Sequence, residues 1–441
     1  MNPERLLTHT LRTHPKGDAV ARILATALDS VEPGTAVERF LVYDGKQLAI
    51  AGRPCEITGR VFALGIGKAS VPMTASVAGI LGSRLAGGLA VTKHKPEVPV
   101  EGMELLEGGH PLPDEHSLAA GERVQEFIRQ LLPEDLLICL ISGGGSALVA
   151  APKEGISLSD MQSLTNALLE CGARIDEINT LRRHLDRLKG GGLARMAYPT
   201  RVVSLILSDV VGNALEAIAS GPTAPDPTRA ADALNVLDHY NLTDHVPPAA
   251  LSVLKMTQRD KGTFDHVQNV LVGSNLIAAQ AALRQAADEG FHPYLLRTDL
   301  QGEAREVARD LSIQLRWAWR MGDPAPRPAC IVAGGETTVT VQGDGRGGRN
   351  TELALAAVSE LADFPDVMLV TLATDGEDGR TDAAGAVVTG GTWRRGLDLG
   401  LNAVEHLNRN DSYSYFSVLD DLLKPGPTGT NVNDLVFLIT S

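Results

Sequence analysis

Short runs of β-branched and aliphatic residues recur along the first half of the chain. Each run is followed by a glycine-rich turn and then by a helical pattern of apolar positions; the runs cover residues 61–64, 89–92, 136–141 and 202–207. This alternation predicts βα units arranged around a mainly parallel sheet.

A second series of apolar runs follows a proline-rich stretch. The runs cover residues 270–272, 294–297, 331–333, 339–341, 367–372, 387–388 and 435–439. Some of them are close enough in sequence to form hairpins, so we expect the second sheet to be mixed. The prolines within 221–228 and 246–248 suit a domain junction. The pattern therefore predicts two α/β domains, residues 1–245 and residues 246–441.

Composition and charge narrow the class of protein. The chain has 441 residues, 44% of them apolar, and a formal net charge of -14 with no basic stripe, which argues against a nucleic-acid partner. The four cysteines are scattered without a CxxC pair, which is typical of a reducing compartment. The N-terminus lacks the apolar core of a signal peptide, and the most apolar runs are too short to span a membrane. We expect a cytoplasmic protein.

Four glycine-rich loops suggest a ligand that carries several phosphates. They cover residues 65–70, 142–146, 189–192 and 343–350, and three of them lie between a predicted strand and a predicted helix. Backbone N–H groups and the helix dipole favour an anion at such a turn, although glycine there often serves only a tight bend. The dinucleotide fingerprint is incomplete, because Ser70 stands where its third glycine would be, and no Walker loop is present.

Two cations and two acids are the strongest catalytic candidates. Lys68 and Arg349 lie within the glycine loops and would place charge on phosphate, whereas Arg346 is better explained as a solvated residue. Asp209 and Asp375 each follow a predicted strand, where an aspartate can accept a hydroxyl proton or hold Mg²⁺.

Other polar residues have simpler interpretations. A helix cap or a turn is a serious alternative for Asp378 and Asp382. The histidines 94, 110 and 116 lack metal-ligand spacing, so a satisfied structural histidine is the default expectation for each of them. Ser142 and Ser146 are not in a nucleophile elbow, which argues against an acyl-transfer hydrolase.

Several strings together resemble the class II glycerate 2-kinases and their MOFRL domain. In the first half these strings cover residues 65–70, 108–114, 140–147, 189–194 and 218–223; in the second half they cover 334–340, 345–350, 374–379 and 428–434. The resemblance runs from about residue 20 to the end in the same order. It implies a Rossmann-like N-terminal α/β/α domain with a mainly parallel sheet and a MOFRL-type C-terminal α/β domain with a mixed sheet.

The resemblance also implies an activity and its cofactors. Members use Mg²⁺ and ATP to convert D-glycerate to 2-phosphoglycerate in a cleft between the domains, and they often carry the label hydroxypyruvate reductase. Lys68, Asp209 and Arg349 are then the catalytic residues, with Asp209 and Asp375 as metal ligands. The residues expected to bind substrate or nucleotide are Gly67, Ser70, Ser142, Gly143, Gly144, Gly145, Ser146, Lys189, Gly190, Gly191, Glu336, Asp375, Asn431 and Asp434.

Two departures and two alternatives stay open. Asn213 stands where the family usually has Asp, and Ala373 stands where it has Gly, which puts a metal-ligand role for residue 213 in doubt. The alternatives are an NAD(P)H-dependent hydroxypyruvate reductase and a non-enzymatic protein that binds a small acid or a nucleotide. Small-molecule partners are expected, D-glycerate and ATP, without nucleic acid or membrane; a homodimer is one assembly that the sequence allows.

Overall fold

The computed structural model describes residues 1–243, 245–256 and 264–441. Its strands, numbered in chain order, are β1 Leu41–Tyr43, β2 Leu48–Ile50, β3 Arg53–Cys55, β4 Val61–Ile66, β5 Leu85–Thr92, β6 Met103–Glu107, β7 Leu136–Ile141, β8 Arg201–Leu207, β9 Val267–Gly273, β10 His292–Leu300, β11 Ala329–Gly335, β12 Val367–Ala373, β13 Gly385–Thr389, β14 Leu422–Leu423 and β15 Asp434–Thr440.

The α-helices are numbered in the same way. They are α1 His9–Thr13, α2 Gly17–Asp29, α3 Pro33–Phe40, α4 Ser70–Leu81, α5 Glu115–Arg129, α6 Gly145–Leu148, α7 Leu158–Glu170, α8 Ile175–Leu185, α9 Gly192–Ala197, α10 Ala230–His239, α11 Pro248–Met256, α12 Asn275–Asp288, α13 Ala304–Met321, α14 Arg349–Glu360, α15 Thr392–Asp398, α16 Ala403–Asn408 and α17 Ser412–Val418.

The packing of the chain divides it into two compact units. One unit is Pro33–Val272, and the other combines Met1–Glu32 with Gly273–Ser441. The N-terminal segment belongs to the second unit because α2 packs on α12, where Arg22 donates two hydrogen bonds to Glu289 at 2.6 and 2.7 Å. The domain boundary at residues 245 and 246 stays a prediction.

The unit Pro33–Val272 is built on a six-stranded sheet in the order β6-β5-β4-β7-β8-β9, as described within that unit. Strands β4 to β8 pair in parallel, which confirms the predicted parallel sheet. The central strands β4 and β7 are buried along their whole length, as their continuous apolar sequences require. The carboxyl ends of β4, β7 and β8 therefore meet at one edge of the sheet.

Strand assignment at the ends of this sheet differs from expectation. The run 270–272 was expected to begin the second sheet, but it lies in β9, at the edge of the first one. An apolar run does not encode which sheet edge it joins, because any unpaired edge offers the same backbone groups. The apolar pattern did not predict strand β6, because its apolar residues are only half-buried and Glu104 and Glu107 are exposed.

The other unit carries a mixed sheet in the order β10-β11-β15-β12-β13-β14 among its described strands. Strands β10 and β11 are parallel, whereas β15 is antiparallel to both β11 and β12, which confirms the predicted mixed sheet. The predicted strand at 339–341 is wrong. Val341 is 73% exposed, and the backbone N–H groups of Gln342 and Gly343 bond the side chain of Asn410 instead of another strand.

In the described part of the chain, no helix is both long enough and apolar enough to cross a membrane.

Candidate active site

The loop after β4 is fastened to the loop after β7. Gly67 has φ +133°, and a Cβ at this position would lie 2.2 Å from Ser142 Oγ. The backbone N–H of Lys68 donates to Gly143 O at 2.9 Å, and the N–H of Ala69 donates to Ser142 Oγ at 3.0 Å. The backbone donors of this loop are thus used internally. What remains for a ligand is the exposed side chain of Lys68.

The loop after β7 differs from the loop after β4 in how its backbone N–H groups are used. In the described residues, the backbone N–H groups of Gly143 and Gly144 donate to no protein acceptor. Gly144 has φ +84°, and the position of its absent Cβ lies 3.1 Å from Lys68 Cε and 3.2 Å from His110 Cδ2. Two N–H groups next to a lysine form an arrangement that suits the oxygens of a phosphate or carboxylate.

Asp209 lies on the other side of this loop. It follows the end of β8, and its Oδ2 is 1.9 Å from where a Cβ on Gly143 would stand. Burial raises the pKa of the half-buried Asp209 carboxyl above its ordinary value, while the charge of Lys68 acts in the opposite direction. A carboxylate with a raised pKa beside an anion site can accept a hydroxyl proton.

His110 and Arg182 also belong to this site, and the sequence assigned neither of them to it. Burial lowers the pKa of His110 to about 4, helped by the charges of Lys68, Lys93 and Arg182, so the imidazole is neutral near pH 7. The expectation of a satisfied structural histidine is not met, since no described residue forms a hydrogen bond with the imidazole. His110 lies in the string 108–114 that resembles the family, so the sequence offered a reason to consider it. No sequence pattern distinguished Arg182 from its neighbours.

The predicted serines form hydrogen bonds within the protein. Ser70 is fully buried and its Oγ donates to Val91 O at 2.8 Å. Ser142 is buried and accepts from the loop after β4. Ser146 Oγ lies 2.7 Å from Ser220 Oγ. These hydroxyls shape the loops, and a direct role in binding stays a prediction for each of them.

The loop 189–192 does not follow a strand but the helix α8. Gly190 N donates to Ser220 O at 2.9 Å, and Gly191 N donates to Gly221 O at 2.7 Å. The cradle of backbone N–H groups expected here is therefore already used by the protein. The contacts of this loop favour a structural role.

The side chain of Lys189 is also committed within the protein. Its Nζ is buried and donates to Asp186 Oδ2 at 2.6 Å and to Val149 O at 2.9 Å. These contacts favour a structural role for Lys189 as well.

A second cluster lies within the unit that contains residues 273–441. Glu336 follows β11, Asp434 begins β15, and the antiparallel register pairs Gly335 with Asp434. Arg349, the first residue of α14, donates to Asp434 Oδ1 at 3.1 Å and to Glu336 Oε1 at 2.8 Å. The structure thus brings together three predicted residues that are far apart in sequence.

Asp375 belongs to the same cluster because it follows β12, whose last residue pairs with Asp434. Burial, followed by the charge of Asp434, raises the pKa of the Asp375 carboxyl. Asn431 lies just before β15, and its Oδ1 accepts a hydrogen bond from Asn433 N at 3.0 Å. Asn275, which the sequence did not indicate, donates to Asp434 O at 2.9 Å and so helps to position that residue.

The loop 343–350 does not leave the N-terminus of α14 open. Asp378 accepts from Asn350 N at 3.0 Å and from Thr351 N at 2.8 Å, so a carboxylate already caps the helix. The simpler interpretation of Asp378 is therefore confirmed. Arg346 is exposed, as expected of a solvated residue, and its guanidinium carbon lies 4.5 Å from the centre of the Tyr413 ring.

No group of three or more His, Cys, Asp or Glu side chains in the described residues is placed to hold a metal ion. Mg²⁺ usually takes one or two carboxylates and completes its shell with water and phosphate oxygens.

Comparison with known proteins places the chain in a family. A domain of unknown function, DUF4147, matches residues 19–255, and the MOFRL family matches residues 329–434. Glycerate 2-kinase of Pyrococcus horikoshii is 38% identical to this chain, and the alignment covers 95% of this chain and 96% of the Pyrococcus protein. D-glycerate 2-kinase of Thermotoga maritima is 41% identical, and the alignment covers 86% of this chain and 90% of the Thermotoga protein. The chain belongs to the class II glycerate kinase family.

The solved structure of a Thermotoga maritima glycerate kinase agrees with this family membership. It superposes with a TM-score of 0.87 at 37% identity, covering 95% of this chain and 98% of that one. The α/β fold is therefore that of the glycerate kinases.

The structure accommodates both departures from the family's usual sequence. Asn213 has φ +56°, a left-handed conformation that asparagine tolerates better than most residues. Ala373 is the last residue of β12, is 2% exposed and pairs with Asp434, so its methyl group fits the buried sheet of this glycerate kinase family member.

Proposed function

We propose that the protein transfers the γ-phosphoryl group of ATP to the 2-hydroxyl of D-glycerate. The observation that carries the proposal is the arrangement at the ends of β4, β7 and β8. There the Lys68 side chain, two backbone N–H groups without protein acceptors and the Asp209 carboxylate surround one loop. Relatives named glycerate 2-kinase support the same reaction.

Each group has a role that its surroundings support. Lys68 and the N–H groups of Gly143 and Gly144 would bind the oxygens of the transferring phosphoryl group, where charge must be stabilised. Asp209 would orient the substrate hydroxyl and accept its proton. Because burial raises its pKa, Asp209 is a stronger base than an ordinary aspartate.

The cluster of Arg349, Glu336, Asp434 and Asp375 fits a role in holding Mg²⁺ and the nucleotide. The charge of Asp434 adds to burial in raising the pKa of Asp375, and a divalent cation would relieve that repulsion. Asp375 is the carboxylate that we assign to Mg²⁺ within this unit. Asp209, within the unit Pro33–Val272, stays a predicted metal ligand. Bound Mg²⁺ would neutralise phosphate charge, and Arg349 would be kept in place by its two carboxylate partners.

The reductase alternative is a weaker fit. A dinucleotide fold binds pyrophosphate through the backbone N–H groups of the first glycine loop. In this protein the N–H groups of Gly67, Lys68 and Ala69 all donate to protein acceptors. The cytoplasmic location and the homodimer stay predictions.

A product assay tests the proposal. Purified protein is incubated with ATP, Mg²⁺ and D-glycerate, and 2-phosphoglycerate is separated from 3-phosphoglycerate. We expect 2-phosphoglycerate and one ADP per product. Exclusive formation of 3-phosphoglycerate, or NADH oxidation with hydroxypyruvate in place of ATP use, would contradict the proposal.

A further inference from the structure

Three consecutive residues beside the active-site loop have left-handed backbone conformations. They are Ala219 with φ +50°, Ser220 with φ +58° and Gly221 with φ +60°. Such a conformation is unfavourable for an alanine or a serine, and it persists where the surrounding structure requires it. The left-handed backbone of this segment places Ser220 Oγ 2.7 Å from Ser146 Oγ and 3.2 Å from Asn179 Oδ1. The left-handed segment thus connects the loop after β7 with helix α8.

Two adjacent arginines of α8 differ sharply in their contacts. Arg183 is buried and donates to Asp226 Oδ1 at 2.9 Å and to Thr180 Oγ1 at 3.0 Å. Arg182 makes a single long contact, from Nη1 to Asn179 Oδ1 at 3.5 Å. No Asp or Glu in the described chain lies within ion-pair distance of Arg182. A half-buried guanidinium is thus left with most of its donors unused.

The surroundings of Arg182 are cationic. Hydrogen bonds link Arg182 through Asn179 and Ser220 to Ser146 of the loop after β7. The charges of Lys68, Lys93 and Arg182 all act to lower the pKa of His110 beside that loop. Burial lowers the pKa of Arg182 itself, with no acid to offset it. A desolvated charge without a counterion is unfavourable in a folded protein, so an anionic ligand is the natural partner.

We propose that Arg182 binds the carboxylate of the small hydroxy acid, with Asn179 and Ser220 as positioning residues. The proposal rests on the proposed function and adds a substrate-binding residue to it. The planar fork of a guanidinium matches the two oxygens of a carboxylate. Lys68 and the N–H groups of the neighbouring glycine loop are then left for the phosphoryl group. Phosphate oxygens of the nucleotide are the other possible source of this anion, and the kinetics below separate the two.

The test compares Michaelis constants for the two substrates. Arg182→Met should raise KM for D-glycerate about 10- to 100-fold, the usual effect of losing a hydrogen-bonded charge, and change KM for ATP less than about threefold. Arg182→Lys keeps the charge without the fork, so we expect an intermediate KM. Arg187→Met removes an exposed arginine of the same unit and should leave both constants unchanged.

Asn179→Asp tests the positioning role with little change of shape. The new carboxylate would stand beside Arg182 and compete with the substrate, so KM for D-glycerate should rise at pH 8. At pH values low enough to protonate the new carboxyl, the difference from the parent should shrink. A purely structural role for Asn179 would not give a pH-dependent KM that is confined to glycerate.

The outcomes separate this inference from the proposed function. If the parent enzyme makes no phosphoglycerate, the proposed function fails. If the parent is active but KM rises only for ATP, Arg182 binds nucleotide phosphate and the carboxylate assignment is overturned. Unchanged constants for both substrates overturn it as well. Should Arg182→Met fail to fold, as seen by circular dichroism, the Arg182→Lys constants decide the matter in the same way.

Discussion

The carboxylate of Asp209 lies against Gly143, with Oδ2 1.9 Å from the position that a Cβ on that glycine would take. Gly143 does not have a positive φ, so it is needed here for space and not for backbone freedom. The base candidate and the anion loop are therefore in direct contact, and each restricts the position of the other.

Gly143→Ala should lower turnover through this contact. The methyl group must push Asp209 away, and a displacement of roughly 1 Å in a reacting group can cost about 10²-fold in rate. Steady-state kinetics would measure the loss. Gly79→Ala is the matched control, because a Cβ there meets no atom within 4 Å. Equal activity of the two variants would show that the position of Asp209 is not critical.

Lys68→Ala should be much less active but folded. Removing a preorganised charge from the phosphoryl site should lower kcat by roughly 10²-fold or more. Lys68 is exposed, so the free energy of unfolding should change by no more than about 0.5 kcal/mol. Kinetics and thermal unfolding would be measured together, with Lys46→Ala as an exposed-lysine control. Near-normal turnover would show that Lys68 is only solvated.

Asp209→Asn should make the protein less active and more stable. Loss of a general base costs about 10²-fold or more. Because burial raises the native pKa of Asp209, the native state holds its proton more tightly than the unfolded state, and ionisation destabilises the fold as pH rises through the native value. The variant should therefore melt above the parent at pH 7, and the difference should diminish at lower pH. For the parent, kcat/KM should fall as pH drops through that pKa; a variant less stable than the parent at pH 7 would contradict the assignment.

Lys189→Met tests a structural role for a residue that the sequence assigned to the ligand. It would leave Asp186, whose side chain is 0% exposed, without its partner, and breaking a buried pair typically costs about 3–5 kcal/mol. Denaturant unfolding would measure the loss, with Lys46→Met as the control. Unchanged stability together with a higher KM for ATP would instead support the predicted binding role.

Patterns along the chain were sufficient to predict both sheets and most of their strands. Apolar runs such as those of β7 and β12 are stable only when both faces of the strand are covered. The local sequence is therefore enough to predict that these strands are buried. The run 339–341 failed because Glu303 and Asn410 take up the backbone donors of that region. Those two residues are distant in sequence, and no local pattern reveals them.

The sequence by itself determined the fold class, the family and the residue types of the site. Tertiary structure decided how the N–H groups of four similar glycine loops are used. Those of Gly143 and Gly144 meet no acceptor in the described chain, whereas the other loops direct donors to partners such as Ser142, Ser220 and Asp378. It also separated two identical neighbours, Arg182 and Arg183, of which one meets Asp226 and the other meets no carboxylate in the described chain. The physical reason is that apolar periodicity records burial, whereas the availability of a charge or an N–H group depends on partners brought near only by folding.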